Sequence, residues 1–180
     1  VQGDVEPGFE PVAEAFAANF TDHDDIGAAV CVYHRGRPVV DLWGGLADRE
    51  AGRPWERDTI QLVFSTTKAM TATCVHMLVE RGALDLDAPV ARYWPDFAAQ
   101  GKGAVTLRWV LSHQAGLPAV PETVTMEDVL GWDEVVAAIA AAAPVWEPGT
   151  AHGYHARTFG WILGEEIGRA SCRERVYGLV

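Results

Sequence analysis

The chain has 180 residues, 49% of them hydrophobic, seven tryptophans and a formal net charge of −11. This length and apolar content suffice for one globular core and argue against disorder. No basic cluster interrupts the acidity, so we expect no nucleic acid and no anionic membrane as a partner. No apolar run approaches the roughly 20 residues that a membrane-spanning helix needs.

The cysteines and histidines follow neither a disulfide framework nor the spacing of a metal site. Cys31, Cys74 and Cys172 are widely separated. This usage favours a reducing compartment, and we expect a cytoplasmic protein. His152 and His155 lie close together but have no obvious companion ligands. We therefore expect no metal and no cofactor.

The N-terminal part of the chain predicts a helix, a hairpin and one further strand. Apolar residues at three- and four-residue steps indicate the helix, and short β-branched runs around a turn indicate the hairpin. Gly44 and Gly45 mark the expected end of the hairpin. In chain order, the predicted elements are a helix at 9–20, strands at 27–34 and 38–43, a surface loop at 48–58 and a strand at 60–64.

The remainder of the chain predicts mostly helices. Gly82 is the expected stop of the first one, and Asp87 with Pro89 opens a short second one. Thr106 is the expected cap of a third helix, and Pro144 ends an alanine-rich fourth helix. The predicted helices are 66–81, a short one after 87, a short one from 106 to 112, 134–143 and a last one that begins near 157.

The C-terminal tail breaks this pattern. Residues 167–176, IGRASCRERV, match the translation of a common sequencing adapter. We therefore predict that residues 1–166 form a truncated domain and that residues 167–180 are an artefact. Cys172 would then carry no biological meaning, and the natural chain would continue past Glu166.

Ser65 and Lys68 are the candidate catalytic pair. Ser65 follows an apolar run and opens a helical pattern, and Lys68 lies one turn further on the same face. An amine beside a hydroxyl can activate that weak nucleophile, and lysine can lose its proton when it is desolvated. Because Ser-x-x-Lys arises by chance roughly once in a few hundred residues, the pair needs support from its context.

Longer motifs supply that context, and together they resemble the serine beta-lactamase-like hydrolases. That family includes class C beta-lactamases, D-alanyl-D-alanine carboxypeptidases and family VIII carboxylesterases. The matching segments, in the family's order, are 65–68 (STTK), 82–90 (GALDLDAPV), 106–118 (TLRWVLSHQAGLP), 146–149 (WEPG) and Tyr154. The resemblance implies an α/β (α+β) fold of the beta-lactamase/transpeptidase type. In this fold an antiparallel sheet is flanked by helices beside a mainly helical subdomain, and the C-terminal sheet strands would be missing here.

The resemblance also implies a role for each site residue. Ser65 would be the acylated nucleophile, Lys68 its proton partner and Tyr154 the phenol that works with the lysine as base. A phenol near an ammonium has a lowered pKa and becomes a usable base. The alternative for Tyr154 is a core tyrosine with a bonded hydroxyl group.

Two departures from the family pattern bear on the substrate. Beta-lactamases carry an asparagine two residues after the tyrosine, whereas this chain has Ala156, which favours carboxylesterase activity on short-chain esters. His155 could partly substitute for the asparagine, or it could be structural or face solvent. No Lys-Thr-Gly or His-x-Gly motif follows Tyr154. The alternatives are a beta-lactamase, a D-alanyl-D-alanine carboxypeptidase and a non-catalytic ligand-binding relative. The expected partner is a small-molecule ester or lactam.

Other polar residues admit competing interpretations. His113 could belong to a Ser-His-Asp triad with an acid from a nearby loop, but the resemblance places it in a structural motif at a helix end. The candidate acids for that triad are Asp85, Asp87 and Asp96. Glu165 and Glu166 are expected on a solvated helix face. Because sheet strands would be absent, we expect the 180-residue chain to expose an unpaired hairpin edge and to be poorly stable and inactive or nearly so.

Overall fold

The computed structural model describes residues 1–122, 124–125 and 131–171. The chain divides into two compact units, Val1–Leu62 and Val63–Val180. Each unit has its own cluster of buried apolar side chains. The antiparallel sheet lies in the first unit and the second is mainly helical, so the predicted fold class is confirmed.

The first unit is an antiparallel sheet with one helix. Its central strand is β3, and the strand order is β1-β3-β2, with β4 pairing to the end of β3. Arg35 and Gly36 have φ angles of 51° and 78° in the turn between β2 and β3, a left-handed conformation that suits tight hairpins. The elements are β1 (Gln2–Val5), α1 (Glu10–Asp22), β2 (Gly27–His34), β3 (Arg37–Asp48) and β4 (Arg53–Pro54).

Helix α1 covers this sheet with one apolar face. Phe16 is buried in the same cluster as Val40 and Leu42 of β3. Phe9 and Phe20 pack against that cluster from either side of Phe16, at the helical spacing that the sequence pattern predicted. The predicted helix over 9–20 is therefore confirmed.

The first unit also corrects three predictions. The returning strand does not end at Gly44 and Gly45 but continues to Asp48, with both glycines paired to β2. A Cβ at Gly45 would lie 2.2 Å from the Ile26 carbonyl oxygen, so this glycine permits a close backbone approach within the sheet. The loop predicted over 48–58 contains the short strand β4. Strand β1 was not predicted, because its residues have weak strand propensity.

The strand predicted over 60–64 is wrong. Residues 60–63 have no regular structure, and a 3₁₀ turn at Phe64–Thr66 follows them. Phe64 has a φ of 45°, which no strand residue adopts. Its side chain is 76% exposed, so the apolar run that suggested a buried strand lies at the surface.

The second unit is built from helices and short 3₁₀ segments. Helix α5 is enclosed along most of its length and contacts α2, α3 and α4. Gly164 of α5 allows this packing, because a Cβ there would lie 2.5 Å from the Trp132 ring. The helices are α2 (Thr67–Glu80), α3 (Leu107–Leu111), α4 (Trp132–Ala141) and α5 (Thr158–Ala170), with further 3₁₀ segments at Val90–Arg92 and Pro95–Ala104.

Most predicted helix ends agree with these bounds. The Thr106 hydroxyl accepts the Trp109 N–H at 3.2 Å, which confirms the predicted cap. Gly82 has a φ of 70° just after α2, as expected of a helix stop. Asp87 caps no helix, which corrects the prediction. Its carboxylate instead binds the Arg108 guanidinium through two hydrogen bonds of 2.7 and 2.9 Å.

A buried lysine joins the 3₁₀ segment at Pro95–Ala104 to the end of α4. Lys102 is fully buried, and its ammonium donates to the carbonyl oxygens of Ala99, Ala140 and Ala142. Burial lowers the pKa of this lysine. The terminal carbonyls of α4 thereby receive the hydrogen bonds that a helix end lacks.

The prediction that Glu165 and Glu166 lie on a solvated face is wrong. They are 4% and 0% exposed, because helices enclose α5. The Glu165 carboxylate accepts the Trp132 indole N–H at 2.6 Å and a hydrogen bond from Arg169 at 2.8 Å. Among the described residues, neither carboxylate oxygen of Glu166 has a hydrogen-bond partner, and burial raises the pKa of Glu166 to about 8.

Helix α5 runs past residue 166 to Ala170. The division into a domain over 1–166 and an artefact over 167–180 stays a prediction, and Cys172 lies outside the described residues.

Several large apolar side chains are exposed, namely Ile60, Leu62, Val63, Phe64, Met70 and Met77.

Candidate active site

Ser65 lies in the 3₁₀ turn that leads directly into α2. Phe64, in the left-handed conformation, turns the chain into this segment, and α2 begins at Thr67. Lys68 follows within the first helical turn, so the spacing of three residues brings its side chain back towards Ser65. Ser65 is exposed and Lys68 is half-buried.

The three residues singled out from the sequence come together. Lys68 Nζ donates to Ser65 Oγ at 3.1 Å, and the Tyr154 hydroxyl donates to the same oxygen at 2.6 Å. The Lys68 ammonium also lies 4.9 Å from the centre of the Tyr154 ring. A nucleophile, a cation and a phenol therefore share one hydrogen-bonded cluster.

The phenol of Tyr154 is electrostatically tuned. Its pKa lies below the ordinary value, first because of the hydrogen bond with Ser65 and then because of the hydrogen bond and charge of Lys68. Its side chain is 51% exposed, so a small molecule can reach it. The alternative of a buried core tyrosine does not agree with this exposure.

Ala156 contributes a backbone group that the sequence did not reveal. Its carbonyl oxygen accepts a hydrogen bond from Lys68 Nζ at 2.7 Å. Lys68 is thus held between Ser65 and the segment that carries Tyr154. No side-chain pattern could have indicated this contact, because every residue has a backbone carbonyl.

His155 is buried rather than solvent-facing. Its Nε2 accepts the Leu117 N–H at 3.0 Å, and its Nδ1 lies 2.6 Å from the Gly153 carbonyl oxygen. With Nδ1 protonated and Nε2 bare, the neutral ring satisfies both contacts. The side chain fixes the loop around Tyr154, which agrees with the structural alternative for this residue.

His113 takes no part in a Ser-His-Asp arrangement. Its Nδ1 accepts the backbone N–H of His155 at 3.2 Å, where a triad would need a carboxylate. Asp87 binds Arg108, and the Asp85 carboxylate accepts the Asp87 N–H. Within the described ranges, no hydrogen bond links His113 to Asp85, Asp87 or Asp96.

Two other findings concern the part of the chain that the structure describes. It contains no group of three or more histidine, cysteine, aspartate or glutamate side chains that could hold a metal ion. Over the same residues, no helix combines the length and the apolar character needed to cross a bilayer. Cys31 and Cys74 are free thiols.

The next question is which family shares this fold and the Ser-Lys-Tyr cluster, and comparison with known proteins answers it. The Beta-lactamase family model matches residues 13–177. The chain belongs to the beta-lactamase family.

Particular relatives refine this assignment. The chain is 47% identical over 166 residues to the Esterase/beta-lactamase LipL of Mycobacterium tuberculosis, covering 91% of this chain and 38% of that protein. A family VIII carboxylesterase of known structure is similar with a TM-score of 0.92 and 48% identity, over 99% of this chain and 48% of its own. A penicillin-binding protein homologue from Caulobacter crescentus is similar with a TM-score of 0.90 and 42% identity, over 95% and 46% of the two chains. The chain therefore spans about half the length, or less, of these relatives.

Proposed function

We propose that the full-length protein is a serine hydrolase that acts on short-chain carboxylic esters through an acyl-enzyme on Ser65. The observation that carries the proposal is the convergence of Lys68 Nζ and the Tyr154 hydroxyl on Ser65 Oγ, at 3.1 and 2.6 Å. A serine hydroxyl becomes an effective nucleophile when an adjacent base removes its proton.

Acylation starts from the ionised phenol of Tyr154. Its lowered pKa makes the phenolate easier to form, and the Ser65 hydroxyl then donates its hydrogen bond to that phenolate. As the proton moves to Tyr154, Ser65 Oγ forms a bond to the ester carbonyl carbon, and the carbonyl electron pair moves onto oxygen. The N–H groups of the first helical turn have no intrahelical partner, so the Ser65 N–H can stabilise this oxyanion.

Collapse of the tetrahedral intermediate expels the alcohol. Tyr154 returns its proton to the leaving alkoxide, which leaves the acyl group on Ser65. A water molecule then gives a proton to Tyr154 and attacks the acyl carbon, and Ser65 regains its proton as the acid departs. Lys68, bonded to Ser65 and to the Ala156 carbonyl, supplies a fixed positive charge beside the phenolate throughout.

Ala156 supports an ester substrate over a lactam. Its side chain is a methyl group at the position where the resembling beta-lactamases have an amide that contacts the acyl side chain. A missing hydrogen-bonding group weakens binding of a substrate that depends on it. Because the Mycobacterium tuberculosis relative is named both esterase and beta-lactamase, lactam hydrolysis is the second candidate.

Paired assays on the full-length protein test the proposal. We expect turnover of p-nitrophenyl butyrate well above turnover of nitrocefin, and loss of both on Ser65→Ala. Faster turnover of nitrocefin would favour the beta-lactamase alternative, whereas D-alanyl-D-alanine release would favour the peptidase. No turnover and no labelling of Ser65 by a fluorophosphonate would favour a non-catalytic binding protein.

We propose that the 180-residue chain alone is poorly stable and inactive or nearly so. Exposed apolar side chains directly before the nucleophile, Val63 and Phe64, support this view, because such surface is normally covered. Measurable ester turnover by the 180-residue chain, lost on Ser65→Ala, would contradict it. From the free thiols of Cys31 and Cys74 we further propose a cytoplasmic location.

A further inference from the structure

His113 binds the backbone on both sides of Tyr154. It follows the end of α3 and has a φ of 61°. Its carbonyl oxygen accepts the Gly153 N–H at 3.1 Å, and its ring Nδ1 accepts the His155 N–H at 3.2 Å. One residue therefore anchors the peptide groups that precede and follow the candidate base.

The ring of His113 also packs against the Tyr154 side chain. Its centre lies 5.0 Å from the centre of the phenol ring, in an edge-to-face arrangement. On another side it lies 5.2 Å from the Phe159 ring, which itself faces the Lys68 ammonium at 5.7 Å. The imidazole thus fills the space behind the phenol and restricts its rotation.

We propose that His113 is a positioning residue for Tyr154, holding the phenol against Ser65 through the flanking backbone and through ring contact. The proposal rests on the proposed function, because it assigns His113 a role that acts through Tyr154. Among the described residues no hydrogen bond joins His113 to Ser65, so His113 is not a catalytic residue in its own right.

The hydrogen bond to His155 requires a particular protonation state. Nδ1 accepts a proton donor only when it is bare, so the ring must be neutral with its proton on Nε2. Burial lowers the pKa of His113, and the neighbouring His155, His152 and Lys68 lower it further. The apolar ring of Phe159 faces it from α5 and Tyr154 faces it from the adjacent loop.

This arrangement gives the site a defined response to pH. Because the pKa of His113 lies below its ordinary value of 6.5, the ring is neutral at pH 7. Acidification through that lowered pKa places a proton on Nδ1, and the His155 N–H then loses its acceptor. The hydrogen bond that holds the backbone after Tyr154 is therefore present above this pKa and is lost below it, whereas the His113 carbonyl oxygen still accepts the Gly153 N–H.

Two variants of His113 in the full-length protein separate positioning from general stability. Asparagine tolerates the left-handed conformation and offers a side-chain oxygen near the position of Nδ1, whereas alanine offers neither. For His113→Ala we expect kcat for p-nitrophenyl butyrate to fall about fivefold or more, the factor that corresponds to one lost hydrogen bond, with KM little changed. His113→Asn keeps an acceptor for the His155 N–H but lacks the ring contact, so it is expected to recover part of kcat at pH 7 and to remove the acidic limb that His113 adds to the pH profile.

His152→Asn is the matched control. The His152 ring lies 5.8 Å from that of His113, in contact with it, but His152 is exposed. We expect this variant to keep kcat at pH 7 and to retain an acidic limb, moved to higher pH because His152 no longer lowers the pKa of His113. An unchanged kcat in His113→Ala, or an unchanged acidic limb in His113→Asn, would overturn the proposal.

Nitrogen NMR of the histidine rings in the wild-type protein needs no variant. We expect His113 to carry its proton on Nε2 at pH 7 and its Nδ1 to show coupling across a hydrogen bond to the His155 amide. A proton on Nδ1 at pH 7 would overturn the proposal. If the wild-type protein neither hydrolyses esters nor reacts at Ser65, the proposed function fails, and the NMR result alone decides whether His113 holds the loop.

Discussion

Glu166 makes the stability of the chain depend strongly on pH. Its carboxyl group is fully buried, no residue in the described part of the chain forms a hydrogen bond with it, and burial raises its pKa from 4.5 to about 8. The protonated form is therefore favoured in the folded state. The free energy of unfolding is therefore highest, with respect to this group, below pH 4.5. It falls as the pH rises towards 8, because the unfolded chain releases the proton more readily.

The magnitude follows from the two pKa values. A pH of 7 lies about 2.5 units above the pKa of the unfolded glutamate, whereas the folded glutamate is still mostly protonated at that pH. Each unit corresponds to about 1.36 kcal/mol, so burial of Glu166 costs about 3 kcal/mol at pH 7 compared with pH 4. This is a large part of the free energy of unfolding of an ordinary domain.

Glu166→Gln removes the ionisable proton while keeping the shape of the side chain. In urea titrations of the 180-residue chain followed by circular dichroism, we expect the variant to be more stable by about 3 kcal/mol at pH 7. The difference should shrink towards zero near pH 4. An equal gain at both pH values, or a variant that is less stable at pH 7, would show that the buried Glu166 carboxyl does not make stability depend on pH.

The adjacent glutamate provides a matched control. Glu165 is also buried, but its carboxylate accepts hydrogen bonds from Trp132 and Arg169. Glu165→Gln removes the ion pair with Arg169, so we expect no stabilisation, and a loss of up to about 3 kcal/mol. Two neighbouring and isosteric substitutions should therefore have opposite effects at pH 7.

Three further predictions concern single contacts. Lys102→Met leaves buried carbonyl groups without a donor and should destabilise the chain by about 1–3 kcal/mol in the same urea titrations, whereas an unchanged midpoint would show that these bonds contribute nothing. Gly164→Ala forces a methyl group against the Trp132 ring and should cost about 1–3 kcal/mol; equal or higher stability would contradict the packing described here. Tyr154→Phe keeps the ring contact with His113 but removes the hydroxyl, so kcat of the full-length protein should fall about 10²- to 10⁴-fold with unchanged circular dichroism. Retention of activity in that variant would exclude Tyr154 as the base.

The sequence predicted elements that depend on local signals. Helix α1 follows from the spacing of Phe9, Phe16 and Phe20, and the start of α3 follows from the Thr106 hydroxyl. Both depend on interactions within a few residues of the chain. Strand β1 forms only by pairing with β3, and no local propensity indicates such a pairing.

The errors share a second cause, since burial depends on what the tertiary fold places around a residue. The apolar run at 60–64 suggested a buried strand, yet Phe64 is exposed and in the left-handed conformation. Glu165 and Glu166 suggested a solvated face, yet the helices around α5 bury them. Composition alone cannot distinguish these cases, because exposure is set by distant segments.

The candidate site was predicted in part. Motif order and resemblance placed Ser65, Lys68 and Tyr154 in one site, and the structure brings their side chains within hydrogen-bonding distance. Their catalytic roles stay a prediction. The Ala156 carbonyl and the His113 ring were not foreseen as supports of this site, because one is a backbone group and the other acts through tertiary contact.

The central claim is that Ser65 becomes acylated, and trapping the intermediate tests it most directly. The full-length protein would be quenched with acid during turnover of p-nitrophenyl butyrate and digested, and its peptides analysed by mass spectrometry. We expect a butyryl group on the peptide that contains Ser65, absent in Ser65→Ala and strongly reduced in Tyr154→Phe. An active enzyme with the butyryl group on another residue, or with Ser65→Ala fully active, would contradict the account.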